Sequence, residues 1–302
     1  MLGKDSIGIQ KLDHLAHRLG WTLPELETMA RNCHRQYRYW PKEKPNGKVR
    51  KIYEPKGELK LLQGLINRHL LQPLALPDSL HGSRKGRSIK TNMAPHVGQE
   101  VVLTLDIKNY FPSISHQRVY EMFDRLGCSP AVNHLLTRLT THKAHVPQGT
   151  PTASSIANLV TAIWIEPRLR ALCEKEGFNL TIYVDDISIS GPYRLKRFRD
   201  TFLEILKSAG FDYREDKIKA QTKGRRQVVT GHTVNQRMAP TREWRNGLRA
   251  DIHRLAIEVP NIPQAERIKR ADRIRGRVNH LRQFMPGKAK RLDTKLSGRS
   301  PL

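Results

Sequence analysis

Apolar positions along this chain repeat at two periods, and the switches between them mark out its elements. Residues 7–20 place Ile7, Leu12, Leu15, Ala16 and Leu19 at helical spacing, with Gly20 as the stop. Thr22-Leu23-Pro24-Glu25 has the form of a capping box with proline in the first turn, so a second helix is expected towards Tyr37. Residues 37–55 read as a hairpin turned on Asn46-Gly47, a pair suited to the type I′ turn. Leu59, Leu62, Leu65, Ile66 and Leu70 then line one side of a helix. An apolar strand over Val101–Asp106 ends on a carboxylate. Residues 116–141 read as one helix, and another apolar helix is expected from Ser155 to Glu174. Within 180–191, β-branched and apolar residues flank Asp185-Asp186, the pattern of a hairpin with two carboxylates at its tip. A helix over 194–209, a strand over 211–220, a short strand pair over 228–234 and helices from Thr241 onward complete the outline.

Composition narrows the partners. The 302 residues, 38% of them hydrophobic, are enough for a real core in one large domain or two to three small ones. A net charge of +26 calls for a polyanion, and nucleic acid is the first candidate; a merely basic, solvated surface is the plain alternative. Residues 241–302 hold 16 Lys/Arg against 6 Asp/Glu, an excess of 16 − 6 = +10. Arg267, Lys269, Arg270, Arg273, Arg275 and Arg277 crowd one helical stretch there, and cations so unbalanced repel one another without an anionic partner. Cys33, Cys128 and Cys173 are scattered, with no CxxC pair, which fits neither a disulfide framework nor a zinc site and suits a reducing cytoplasm. With no signal-peptide core and no apolar run near the roughly 20 residues of a membrane span, a soluble cytoplasmic protein with no membrane partner is expected. The two N-terminal helices around Gly20 have the outline of a helix-turn-helix DNA reader or, more plainly, of a helical cap.

Asp185-Asp186 alone is ambiguous, because aspartate favours turns through its own backbone. Asp106, at the end of an apolar strand, changes the reading. If neighbouring antiparallel strands bring the three carboxylates together, they repel unless cations sit between them. Mg²⁺ is a hard ion that keeps positions open for substrate phosphates, and a two-ion site can stabilise both oxygens of a phosphoryl displacement. That is polymerase chemistry. Gln148-Gly149 in the Pro147–Ser154 loop offers an amide and a close backbone to a nucleotide, or is simply a turn before a helix. His81–Ile89, with glycines among cations, can approach a phosphate.

In order and spacing these blocks resemble the reverse transcriptases: the His81–Ile89 loop, LTLDIKNYFPSI at 103–114, PQGTPTAS at 147–154, IYVDD at 182–186 and the strand carrying Lys217. Asn92-Met93-Ala94-Pro95-His96 resembles the NAxxH element, and Val229-Thr230-Gly231 the VTG element, of the bacterial retron enzymes; Met93 stands where that element usually has alanine. The resemblance implies an α+β right-hand polymerase: an N-terminal helical segment over 1–40, fingers over 41–100 with part of 130–150, a split βαβ palm over 101–235 and a basic helical thumb over 236–302. It implies an RNA-directed DNA polymerase that copies part of a cognate structured RNA into multicopy single-stranded DNA. Priming is from a guanosine 2′-hydroxyl of that RNA, and family members commonly act in anti-phage defence beside a separate effector protein.

The same resemblance assigns roles. Asp106 and Asp185 hold two Mg²⁺ ions, with Asp186 completing or supporting the cluster and the Ile107 carbonyl adding a ligand. Phe111 matches the gate that leaves no room for a 2′-hydroxyl, so deoxynucleoside triphosphates are preferred; Tyr110 is packing. Gln148 and Gly149 match the nucleotide-contacting pair, Arg50 and Lys60 the fingers cations for the triphosphate, and Lys217 the lysine that protonates departing pyrophosphate. Asn92, His96, Val229, Thr230 and Gly231 help to recognise the RNA, and thumb cations such as Arg270, Arg273 and Arg277 add affinity. A group II intron-like or diversity-generating enzyme shares the chemistry, but the NMAPH and VTG pieces, and a chain end soon after the thumb, favour the retron kind. The rival of another class is a non-catalytic basic nucleic-acid-binding regulator, against which the complete aspartate set speaks.

Overall fold

The computed structural model describes residues 6–43, 47, 49–258 and 263–297, so the turn expected at Asn46 lies outside the described residues. Ile7 and Ile9 are buried in irregular chain, and the first helix is shorter than its apolar pattern: α1 runs Leu12–Leu19 and stops at Gly20. Helix α2 (Leu23–Asn32) starts on the expected capping box, in which the Thr22 N–H donates to Glu25 at 2.8 Å. Strands β1 (Tyr37–Glu43) and β2 (Val49–Pro55) pair antiparallel from Tyr37↔Pro55 to Glu43↔Val49. Helix α3 (Gly57–Ile66) buries Leu59, Leu62 and Ile66 and widens into a π turn through Leu71. Helix α4 (Ile89–Met93), strand β3 (Val101–Asp106) and the single turn α5 (Tyr110–Ser113) follow.

The helix expected over 116–141 is two, α6 (His116–Arg125) and α7 (Pro130–Thr140). Ser129 accepts from the Val132 N–H and Pro130 occupies the first turn, so a new start signal interrupts the apolar period. Helices α1 and α2 pack on α7, and α1 also on α3. The N-terminal pair is therefore a cap on the core.

Helix α8 (Ala153–Val160) continues through a π turn at Thr161–Ile165 into α9 (Glu166–Glu176). Then come β4 (Asn179–Tyr183), β5 (Asp186–Gly191), α10 (Arg199–Ser208) and β6 (Lys219–Thr222). The strand expected over 211–220 shrinks to β6: Phe211 is buried in the core and Glu215–Lys217 forms a 3₁₀ turn, so Lys217 precedes the strand. Strands β7 (Val228–Val229), β8 (His232–Thr233) and β9 (Ala239–Pro240) make a small antiparallel sheet. Helices α11 (Arg242–Glu258), α12 (Gln264–Arg282) and α13 (Pro286–Ser297) close the chain around a core of their own that includes Leu248, Ile252, Val278 and Leu281.

The central sheet is antiparallel, in the order β4-β5-β3-β6. Its side-chain alternation positions the chemistry. Val101, Leu103 and Leu105 of β3, with Ile187 and Ile189 of β5, enter the main core. By the two-residue period, Val102, Thr104 and Asp106 point the other way, as do Asp186, Ser188 and Ser190. The register pairs Asp106 with Asp186, Thr104 with Ser188 and Val102 with Ser190. The sheet thus has an oily face under the helices and a polar face that ends in carboxylates. All three cysteines are buried thiols. Among the described residues no helix is long and apolar enough to cross a membrane.

Candidate active site

The carboxylate end of the sheet opens on a cavity of about 850 Å³ whose lining includes Arg50, Asp106, Phe111, Gln148, Asp185 and Asp186. Backbone bonds fix its acidic wall. The Ile107 N–H donates to the Asp185 carbonyl at 3.0 Å, the Arg214 N–H to the Asp106 carbonyl at 2.9 Å, and the Lys108 N–H to the Asp212 carbonyl at 2.8 Å. The end of β3 is therefore tied to the turn of the aspartate hairpin on one side and to the chain before β6 on the other. Three non-glycine residues of the lining, Asn109, Val184 and Thr230, hold left-handed backbones at φ 50°, 60° and 46°. Such conformations persist only where the surroundings enforce them, and they gather at functional sites.

At Val184 the enforcing neighbour is Gly82. A Cβ on Gly82 would lie 2.6 Å from both the Val184 nitrogen and its Cγ2, so only glycine lets the two backbones meet. The loop holds its place by pairing with β4: the Ile182 N–H donates to the Ser79 carbonyl at 2.7 Å and the His81 N–H to the Ile182 carbonyl at 2.8 Å. Asn158, buried in α8, donates to the Gly82 carbonyl at 2.8 Å. The glycine expected to approach a phosphate thus serves the aspartate turn. The loop's arginines are engaged locally, Arg84 with the Pro77 carbonyl at 2.7 Å and Arg87 with Asp78.

Burial, then the neighbouring Asp185 and Asp106, push the Asp186 carboxyl up to about 7, with Lys217 opposing. Asp106 is also raised, by burial and then Asp185, against the pull of Arg214 and Lys217. Arg214 Nε stands 3.8 Å from Asp106 Oδ1, while Arg214 Nη2 bonds Asp216 at 3.0 Å. Among the described residues no three His, Cys, Asp or Glu side chains already enclose a metal position. The donor set nevertheless fits a divalent cation: three carboxylates line one cavity, and a divalent charge relieves the repulsion among them.

Other expected residues divide. Phe111 lines the cavity while packing on the core, and Tyr110 is fully buried, its hydroxyl donating to the Ala157 carbonyl at 2.6 Å. Arg50 and Gln148 reach the cavity from β2 and the 147–152 loop, which the Tyr53 N–H joins by donating to the Gln148 carbonyl at 2.9 Å. Gly149 is absent from the described lining. At φ 103°, with a Cβ that would lie 2.8 Å from Ile52 Cγ2, it lets the β1–β2 ribbon rest on the loop. Lys60 bonds Glu54 at 2.8 Å instead of facing the cavity. Lys217 acts on Asp106 and Asp186 through its charge but is outside the described lining.

The two short elements resolve into interior and wall. His96 is fully buried, its Nδ1 2.7 Å from Ser190 Oγ and its Nε2 2.8 Å from Thr181 Oγ1, so it stitches the polar face of the sheet. Burial holds it neutral, pulled down to about 3. Asn92 is buried, and its Nδ2 donates to Thr230 Oγ1 at 2.9 Å. Val229 is buried as well, so of these residues Thr230 is the one in the cavity lining. Among the helical cations, Arg270 bonds Glu266 at 2.9 Å, and Arg277 pairs with Asp251 and stacks on Trp244. Arg273 lines a separate cavity of about 280 Å³ with Asp251 and Glu266.

A cup of about 360 Å³ between α11 and α13 went unforeseen. Arg242, Arg245, Arg249, Lys288 and Arg291 line it over Leu281 and Leu292, with no carboxylate among the described lining residues. The spacings of three and four at 242, 245 and 249, and of three at 288 and 291, were the available signal.

Residues 41–244 match the family described as Reverse transcriptase (RNA-dependent DNA polymerase). The Retron Mx65 reverse transcriptase of Myxococcus xanthus is 34% identical over 280 residues, covering 80% of this chain and 65% of its own length. The Retron Ec86 reverse transcriptase of Escherichia coli is 31% identical over 225 residues, covering 73% and 70%. The Retron Mx162 reverse transcriptase of Myxococcus xanthus is 32% identical over 267 residues, covering 76% and 54%. The chain thus spans between about half and 70% of the length of these relatives. A foamy viral protease-reverse transcriptase solved in complex with double-stranded DNA superposes with a TM-score of 0.50 at 17% identity, covering 87% of this chain and 38% of that one. The mixed α+β architecture therefore resembles that of a viral reverse transcriptase.

Proposed function

The chain belongs to the retron reverse transcriptases, and from that premise we propose that it copies part of a structured RNA into single-stranded DNA, starting from a 2′-hydroxyl of the same RNA. The observation that carries the proposal is the pairing of Asp106 with Asp186 across β3 and β5, beside a turn whose Asp185 carbonyl is bonded to Ile107. Asp106 and Asp185 would hold two Mg²⁺ ions, with Asp186 and the Ile107 carbonyl in support. When bound, the ions lower the cost of negative charge building up on the attacking and leaving oxygens.

The chain's own side chains do the rest. Arg50 and Gln148 receive the incoming nucleotide from the side of the β1–β2 ribbon, the fingers of this reading. Phe111 lies under the sugar and excludes a 2′-hydroxyl by bulk. Lys217 biases the carboxylates by its charge and gives a proton to departing pyrophosphate. Thr230 meets the RNA at the cavity, held there by Asn92. The sheet with α8–α10 forms the palm and α11–α13 the thumb. The cup of Arg242, Arg245, Arg249, Lys288 and Arg291 takes the RNA backbone, since five cations with no carboxylate among the described lining residues suit phosphodiesters whatever the sequence.

The test is DNA synthesis by the purified protein on the RNA that copurifies with it, given Mg²⁺ and deoxynucleoside triphosphates. The reading expects DNA joined to the RNA through a 2′ linkage. Protein that binds the RNA and makes no DNA would make it a binding module instead.

A further inference from the structure

The turn between β7 and β8 is held from both halves of the chain. Thr230, on the cavity wall, keeps a left-handed backbone that a β-branched residue adopts only under constraint. On one side its hydroxyl accepts from Asn92. On the other its carbonyl oxygen, which can only accept, lies 2.9 Å from His232 Nδ1, so that nitrogen carries the hydrogen. His232 Nε2 in turn lies 2.8 Å from His280 Nε2. A neutral imidazole with its hydrogen on Nδ1 offers only a lone pair at Nε2, so the hydrogen between the rings belongs to His280. The donors thus run in one direction, from α12 through β8 to the cavity wall. Trp244 of α11 and Phe284 clamp His280 with ring centroids 5.5 and 5.3 Å away, and Phe284 lies 4.9 Å from His232.

Resting on the polymerase reading above, we propose that His232 and His280 are positioning residues for DNA synthesis: the pair holds Thr230 against the sugar–phosphate of the RNA end being extended, and so couples the C-terminal helices to the cavity. The coupling needs one hydrogen between the two Nε2 atoms. Once the pair gains a proton, either ring can carry that hydrogen, and two N–H groups would face each other only if both rings were protonated. The charged side chains of the helices packed there are Arg277, held by Asp251 and the Trp244 carbonyl, and Arg245, which reaches Met285 Sδ. Among the described residues no carboxylate hydrogen-bonds to either ring. Burial, and then His232, hold His280 below the usual histidine range. The His280 ring therefore stays neutral to lower pH than an ordinary histidine.

Two variants test this in the full-length protein with its RNA. His280→Phe keeps a ring between Trp244 and Phe284 but has no donor. His280→Gln returns an amide N–H to about the same reach and does not titrate. The readouts are the rate of first-nucleotide addition at saturating RNA, the RNA Kd, and both as a function of pH. His280→Phe should slow addition by about tenfold at pH 8, the effect of one partly buried hydrogen bond, with Kd within about threefold. His280→Gln should recover most of the wild-type rate at each pH measured. A wild-type rate in His280→Phe, no recovery in His280→Gln, or a loss confined to Kd would each overturn the assignment. If wild type itself makes no DNA, the polymerase reading fails first and separately. A misfolded Phe variant, visible by circular dichroism, leaves the Gln variant's rate and pH profile to decide.

Discussion

The carboxylate cluster at the end of β3 and β5 and the cation cup between α11 and α13 each gather like charges, by different means. In the cavity the backbone does the gathering. Strand register sets Asp106 opposite Asp186, and the turn carbonyl of Asp185 is tied to the Ile107 N–H. The carboxylates are partly buried and cannot swing far apart, so burial first and mutual repulsion second hold protons on Asp186 and Asp106 to higher pH. In the cup, five long side chains project from two helices around an open space, where water and salt screen them. Chemistry at a single atom needs the rigid sheet. Attraction for a polyanion needs only a helix face with the right spacing. Changes near the cavity should therefore act steeply on rate, and changes in the cup gradually on affinity.

Gly82 offers the sharpest way to break that contrast, because it carries no charge and belongs to neither cluster. Gly82→Val forces a side chain into the Val184 backbone and should displace the aspartate turn. Nucleotide addition is expected to fall by about a hundredfold or more, the usual result of misplacing a catalytic group by about 1 Å, with RNA affinity nearly intact. Primer extension beside filter binding measures both, and an undiminished rate would mean that the loop does not hold the turn. Next in size, replacing Arg245, Arg249 and Arg291 together with glutamine should weaken RNA binding at 0.15 M salt by about ten- to a hundredfold. The slope of log K against log salt should flatten by about two to three units, while the rate at saturating RNA changes little. An unchanged slope would move the RNA off the cup.

Phe111→Val probes the cavity without touching its charge. Discrimination against ribonucleotides should drop by about tenfold, since a smaller side chain leaves space for the 2′-hydroxyl. Selectivity equal to wild type would return Phe111 to the core. The smallest effect is on stability. The folded value of Asp186, about 7, stands above its unfolded value, so the protonated form favours the fold and stability falls as pH rises through that window. In the presence of EDTA, Asp186→Asn should therefore raise Tm at pH 8 by about 2–4 °C and change it little near pH 4. A variant no more stable than wild type at pH 8 would contradict the crowding of the three carboxylates.

The cavity was legible because its signals are local. Apolar runs end on Asp106 and flank Asp185-Asp186, and alternation alone turns them to one face. The ribbon, the Thr22 capping box and the apolar helices were legible for the same reason. The misreadings all concern partners distant in sequence or a boundary beneath a strong period. Ser129-Pro130 is a start signal, yet the apolar spacing across 116–141 runs over it. Gly82 sits among cations and reads as a phosphate loop, while the residue that requires glycine there is about a hundred positions away. His96 looks like an RNA contact until the strands carrying Thr181 and Ser190 close around it. Arg277 counts towards a basic patch in the sequence, although Asp251 and Trp244 hold it inside the helices. The cup's five cations come from two helices that only folding brings together.

The most direct test of the catalytic account is single-turnover addition of the first deoxynucleotide by Asp185→Asn, with RNA affinity measured on the same preparation. The account predicts a loss of at least about a thousandfold in rate with Kd within about threefold of wild type, because the carboxylate serves the reacting atoms and the helices hold the RNA. A variant that still adds the nucleotide near the wild-type rate would contradict it.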